Sequence, residues 1–526
     1  MDLFWYMDCI RRIVMNKHWK NKILVLTLII GLFAIPLTTQ AAGKGKYFTA
    51  GNFYYHKLSK NTVEVCAVKK QTAGTLVIPA SVVYREKKYK VTRIADYEIG
   101  SKDEPVTGET VDGNVPALWE EYTYNIGKCP DGMEWIGESR ISKLVLPGTI
   151  TEIGNCAFGD CEKLKKVVFA KKYKKLTIGG SAFTGTAIKS ISLPEGTYEL
   201  KDYALGPAVN IKIPASVKKI GAGVVHSGIK KVTLSKKNKK FKMKDNILYS
   251  NDEKTLIGVS GKASKNVVVS PKTVRIAEMA FAWSDVKTVT LNANITEISK
   301  GAFSNCKNLS KVFGTEAVTR IGYGAFYGCT GLISIGRLPN LMEIERAAFW
   351  NAGDCPIELS SKVMVEDYAF SGTCVSSRVR VAVAANDEKY SIENGLLIKA
   401  DGDKKTVIMQ IQDMEKIEVP EGVTNLVVAL GGEKCKEIIL PASLKNQQGT
   451  IMMNGGTVTY KSTVVPEFGK DFSIYNCDGD KSKLIVKVPE GTALAYKNAI
   501  DKVIKERNGD SYNWKDWYIE ITDSGC

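Results

Sequence analysis

Histidine is almost missing from this 526-residue chain. There are three, and His18 falls in the N-terminal leader, which leaves His56 and His226. A Ser-His-Asp or Cys-His constellation would have to use one of those two, and both are read as incidental surface or structural histidines. No His-Glu-x-x-His, Cys-x-x-Cys or phosphate-loop motif occurs, so zinc and nucleotide chemistry have no motif to rest on. Asp401-Gly402-Asp403 and Asp478-Gly479-Asp480 resemble the start of a calcium loop. Neither runs on to a distal glutamate, and both are read as polar hairpin turns. Carboxylates are plentiful but unassignable to a glycosidase without a separation between them. The expectation is a protein with no catalytic residue, no cofactor and no metal.

Long apolar runs are also scarce. One occurs, Ile23 to Leu37, preceded by Lys17, Lys20 and Lys22 and followed by Thr39-Gln40-Ala41 with small residues at the cleavage-site positions. This predicts a secretory signal peptide cut after Ala41 or Ala42, with Met1 or Met15 as the start. The run is short for a membrane span, and no other segment could cross a membrane. No cysteine follows it at the distance a lipoprotein anchor needs. The mature chain is expected to be exported: secreted, on the cell surface or periplasmic.

Cysteine is present but badly placed for a disulfide framework. Cys161, Cys306 and Cys329 each fall three residues after a recurring phenylalanine, and a repeated position implies a repeated environment. Rungs about 5 Å apart leave a Cys306–Cys329 bridge geometrically open. Reduced, stacked, buried thiols are the preferred reading. The formal charge is +17, or +14 without the leader, which favours anionic partners, although a lysine-rich solvated surface is a common source of such a balance.

What the chain has in abundance is the phrase Ile-x-x-x-Ala-Phe. It ends at Phe158, Phe183, Phe281, Phe303, Phe326 and Phe349, with degenerate copies ending at Ile99, Leu205, Val225 and Phe370. From Phe158 onward the steps run from 20 to 25 residues, apart from one of 56 between Val225 and Phe281. A period in the twenties marks a solenoid whose units bury their faces only against neighbours. Each phrase couples to a strand of the form Leu-x-x-Val-x-Leu-Pro, as in Ile188–Pro194, with Val and Leu facing in and a proline ending the ladder. The Ala-Phe segment is expected to be a short turn or helix carrying its ring into the core. The long step, and a similar break at Tyr390–Ile408, read as β-hairpin insertions.

These residues resemble the BspA-like (Treponema pallidum type) leucine-rich-repeat family, most closely in LVLPGTITEIGNCAFGDCEKLKKVVF ending at Phe169. The PEGTALAYKNA stretch near the C-terminus is similar to bacterial members as well. The resemblance covers about Tyr47 to Ile521 and implies an exported or surface protein used for adhesion to host proteins, other bacteria or glycans. It supplies no catalytic residues. The fold expected is an α/β repeat solenoid, a right-handed coil of short strands with hairpin insertions and distinct caps. Its parts are a signal peptide at 1–42, a β cap with an aromatic insertion at 43–140, repeats at 141–483 with hairpin islands near 236–260 and 386–410, and a C-terminal cap at 484–526 sealed by Tyr496, Trp514 and Trp517.

Two candidate binding surfaces follow. Lys166, Lys212, Lys231 and Lys311 flank inward valines, amid serines and threonines, and would make a basic, hydroxyl-rich sheet suited to sulfated or carboxylated glycans or acidic protein patches. The alternative is that these positions serve only solubility. The insertion contributes Trp119, Tyr122, Tyr124 and Trp135, suited to sugar stacking or protein contact, or else folded back over the first rung. The function expected is a non-enzymatic binding or adhesion surface for a host extracellular protein or an anionic glycan, with no nucleic acid partner. A polysaccharide-acting hydrolase or lyase, or a purely structural envelope component, are the alternatives. The oligomeric state is open.

Overall fold

A computed structural model describes residues 46–97, 131–370, 379–470, 472–477, 482–508 and 519–523. The leader, Trp119, Tyr122, Tyr124, the copy ending at Ile99, Asp478–Asp480, Trp514 and Trp517 lie outside them. The chain divides into a short unit, Met1–Tyr47, and a second, Phe48–Cys526, to which the following belongs.

The second unit is a β-solenoid of stacked coils, those up to Phe370 built from two parallel ladders and a turn. The first ladder runs as successive short parallel sheets: Lys166–Phe169 stacks on Arg140–Leu146 with Lys166 opposite Lys143, and Lys231–Leu234 stacks on Asn210–Ile213 with Lys231 opposite Asn210. Alternation of facing buries Leu144, Ile191, Ile211, Val289 and Val312, as the period of two requires. The second ladder uses two-residue strands, with Ile298, Ile321, Ile344 and Val365 in one buried file.

The third side is the Ala-Phe turn. Phe281, Phe303, Phe326, Phe349 and Phe370 form a continuous stack with ring centroids 4.8, 5.3, 5.3 and 5.7 Å apart. Phe158 and Phe183 form a second, at 5.4 Å. All seven rings are fully buried. The backbone ladder continues through the turn: Phe303 N–H donates to the Ala325 carbonyl and Phe326 N–H to the Ala348 carbonyl, both at 2.8 Å. These segments are turns, which corrects the α/β expectation. The residue two before each phenylalanine has positive φ, including Cys156 at 50°, Ser181 at 52°, Met279 at 57° and Ala347 at 57°. A second left-handed residue follows four positions on in most of these turns, as at Asp160, Trp283, Asn305 and Asn351, and such residues stop a right-handed helix from propagating. Close approach completes the packing: a Cβ on Gly179 would lie 2.5 Å from the Gly154 carbonyl carbon one coil away.

The recurring cysteines close the same turns. Cys306 Sγ donates to the Phe281 carbonyl and Cys329 Sγ to that of Phe303, each at 2.9 Å. Cys161 Sγ reaches the Ile136 carbonyl at 3.1 Å. Each thiol thus caps a carbonyl of the preceding coil, and burial pushes the Cys161 and Cys355 thiols up to about 12, far from a reactive thiolate.

The two insertions are antiparallel meanders. Phe241–Lys244, Ile247–Ser250 and Thr255–Val259 form one; Tyr390–Glu393, Leu396–Asp401 and Lys404–Gln410 form the other. Their first turns use Asp245-Asn246 and Asn394-Gly395, each pair with φ positive at both residues, the geometry that matches hairpin twist. The third strand of each pairs in parallel with the next coil, through Leu256 opposite Ile276 and Val407 opposite Leu426. The insertions are therefore part of the ladder. Asp401–Lys404 is a hairpin turn. The single α-helix among the described residues, Ala493–Asn508, buries Tyr496, Ile500 and Ile504 at a spacing of four. Tyr496 Oη donates to the Ser462 carbonyl at 2.7 Å.

Candidate functional site

The outward positions of the first ladder form three files across the coils from residue 140 to 334, carried on three successive parallel sheets that end at Phe169, Leu234 and Phe313. The first contains Lys165, Lys189, Lys230, Lys265 and Lys287, linked coil to coil by backbone hydrogen bonds such as Lys230 N–H to the Val209 carbonyl and Lys287 N–H to the Lys265 carbonyl. The second contains Lys143 opposite Lys166, then Ser190, Asn210 and Lys231, then Asn266, Thr288, Lys311 and Ser334. The third includes Ser192, Lys212, Thr233 and Thr290. Together they present ten lysines and no carboxylate.

All four lysines expected from sequence are exposed on this face. Lys166, Lys231 and Lys311 share the middle file; Lys212 lies in the next. Trp135 is elsewhere: it is half-buried in a strand, Met133–Trp135, that pairs antiparallel with Thr62–Lys69. Six lysines of the files were missed: Lys143, inside its strand opposite Lys166, and five at strand entrances, where positions also face outward. A running charge count would have found them. Residues 163–244 hold twenty lysines, no arginine and three carboxylates, a net charge equal to that of the whole chain.

Those three carboxylates are committed locally. Glu195 accepts the Ala215 N–H at 3.2 Å, Asp202 accepts the Ala222 N–H at 2.7 Å, and Glu199 pairs with Lys219 at 3.5 Å. Among the described residues none of the ten file lysines forms an ion pair. Adjacent rungs are about 4.8 Å apart, less than the roughly 8 Å screening length at physiological ionic strength, so the charges reinforce one another. Lys143 directly opposite Lys166 works against the sheet, since like charges facing across a ladder are destabilising.

A model of the "BspA type Leucine rich repeat region" matches six copies, over residues 136–252 and 260–377. The repeats belong to the BspA-type leucine-rich-repeat family. Their match ends where the Ala-Phe turns end. Among solved structures, a leucine-rich cell surface protein of Faecalibacterium prausnitzii is 18% identical, with 66% of this chain and 97% of that one covered at TM-score 0.40. A leucine-rich-repeat protein of Eubacterium ventriosum is 16% identical, covering 64% and 84% at TM-score 0.44. The pneumococcal vaccine antigen PcpA is 15% identical, covering 92% and 99% at TM-score 0.33. A search of curated proteins gave no match.

The two histidines are built into the scaffold. His56 Nδ1 is 2.7 Å from Glu64, which also takes Arg93 at 2.5 Å. His226 Nδ1 accepts the Gly228 N–H at 3.0 Å, and Nε2 lies 3.3 Å from the Gly206 carbonyl. Burial lowers the His226 pKa. Among the described residues no group of three or more His, Cys, Asp or Glu could hold a metal, and no helix is long and apolar enough to cross a membrane.

Proposed function

We propose that this BspA-type protein is an exported, non-enzymatic binding protein of the bacterial surface, and that the lysine face of its repeats is where an acidic partner docks. The observation that carries the reading is charge without compensation: ten lysines in three files with no carboxylate among them. A surface selected only for solubility interleaves both signs, as the coils beyond residue 354 do. Export is supported by the lysines and apolar run of residues 17–37.

The test is a binding array of acidic host extracellular proteins and anionic glycans probed with purified residues 43–526, with turnover of every polysaccharide followed in the same samples. Saturable binding that weakens with salt and leaves the ligand intact is expected. Depolymerisation of a polysaccharide would overturn the non-enzymatic assignment, and absence of any salt-sensitive ligand would overturn the binding face.

A further inference from the structure

Resting on that reading, we infer that the partner is a linear sulfated or carboxylated polysaccharide, laid along the stacking direction across the coils of residues 163–244. Four observations select this class. Every lysine of the block except Lys201 and Lys242 is exposed, yet none of the exposed large hydrophobic side chains among the described residues falls between residues 85 and 267. Protein interfaces draw their energy from buried aromatic and apolar anchors, and this face has none to bury.

Single-stranded nucleic acid is held by base stacking on aromatic rings, which are likewise missing from the exposed surface here. The block contains no arginine, the side chain whose planar fork matches phosphate; lysine is a point charge indifferent to the geometry of the anion. Finally, hydroxyl and amide groups alternate with the charges in the files, at Ser190, Ser192, Asn210 and Thr233. A polysaccharide offers that same alternation of anion and hydroxyl.

Spacing sets the length of the bound segment. Lys143 and Lys231 lie on the first and last of five consecutive coils, four steps apart, so the middle file spans about 20 Å at one strand spacing per coil. Strands stack in parallel register within each sheet, and the Ala187 N–H to Leu164 carbonyl bond carries the stack from one sheet to the next, so an extended sugar chain can follow the files. Like charges opposed at Lys143 and Lys166 are a local conflict in the sheet, and a polyanion relieves it.

The experiment measures affinity of the mature chain for heparin and chondroitin sulfate fractions of graded length, with polyglutamate and duplex DNA as competing probes. Variants carry Lys166→Glu, Lys189→Glu, Lys230→Glu and Lys231→Glu together, the same four changes to Gln, and Lys416→Glu with Lys461→Glu as a control. Thermal melts verify that each variant is folded. Affinity for the polysaccharides is expected to rise with length until about 20 Å is covered. It should fall at least about 100-fold in the fourfold Glu variant, fall less in the Gln variant, and change little in the control; the slope of log affinity against log salt should shrink as cationic contacts are removed.

Polyglutamate or duplex DNA binding more tightly than either polysaccharide, and lost in the fourfold variant, would overturn the polysaccharide while leaving the acidic-partner reading standing. Polysaccharide affinity unmoved by all four Glu substitutions in a folded protein would overturn both.

Discussion

The coils on either side of residue 370 solve the same packing problem with different surfaces. Before it, the third side of each coil is the Ala-Phe turn with its ring stack, and the outward files carry lysine without partners. After it, the third side becomes a strand: Leu430–Gly432, Ile451–Met453 and Ile474–Asn476 pair in parallel register. There the outward charges neutralise one another across rungs. Arg380 meets Asp354 at 2.5 Å, Lys416 meets its register partner Glu437 at 2.9 Å, and Lys483 meets Glu520. The scaffold plainly tolerates cross-rung ion pairs, and the second ladder of the earlier coils has one too, with Arg320 held by Glu297, Glu343 and Glu345. Their absence from the first ladder at 140–334 is therefore a property of that face alone.

The ring stack is where the comparison is easiest to break. Phe326→Ala should cost about 3–5 kcal/mol, since a buried ring between two others leaves a cavity its neighbours cannot fill; denaturant unfolding reads this directly. A loss below about 1 kcal/mol would mean that the backbone ladder, not the stack, carries the earlier coils. Next in size, Gly179→Ala should cost about 1–3 kcal/mol, because its Cβ would press on the Gly154 backbone.

Charge substitutions should then act in opposite directions on the two halves. Lys166→Glu converts a like-charge pair with Lys143 into an attractive one and should raise the melting temperature slightly while weakening polyanion binding. Lys416→Glu sets two carboxylates opposite one another and should lower the melting temperature with no effect on that binding. Same-sign shifts would show that the two faces do not differ in the way proposed.

The smallest effect concerns the first meander. Glu253 is held down to about 2, chiefly by Lys242 and then Ser270. A depressed carboxylate contributes stability that is present above its ordinary value near 4.5 and lost as pH falls through about 2. The gap in melting temperature between the wild type and Glu253→Gln should narrow across that window; a gap independent of pH would assign Glu253 a steric role.

Much of the stacking was legible because the phenylalanine and the inward Leu, Ile and Val are period markers: Phe303, Phe326 and Phe349 sit where the spacing puts them. The turn conformation was not, since the left-handed position is filled by Cys156, Ser181, Met279, Gly301 and Ala347, which share no side-chain chemistry. Nor was the rejoining strand of each meander, because Thr255–Val259 has no turn signal separating its hairpin role from its place in the ladder. For the face, Lys166, Lys212, Lys231 and Lys311 could be placed from strand alternation. Lys165, Lys189 and Lys230 sit just before the strands, where alternation is silent. The concentration of charge at 163–244 was hidden by counting charge over the whole chain.

Lysine acetylation footprinting of residues 43–526, with and without a sulfated polysaccharide, tests the asymmetry most directly. Protection should concentrate on Lys166, Lys189, Lys230 and Lys231 and leave Lys416, Lys461 and Lys483 unchanged. Protection spread evenly over both halves, or centred beyond residue 354, would contradict the account.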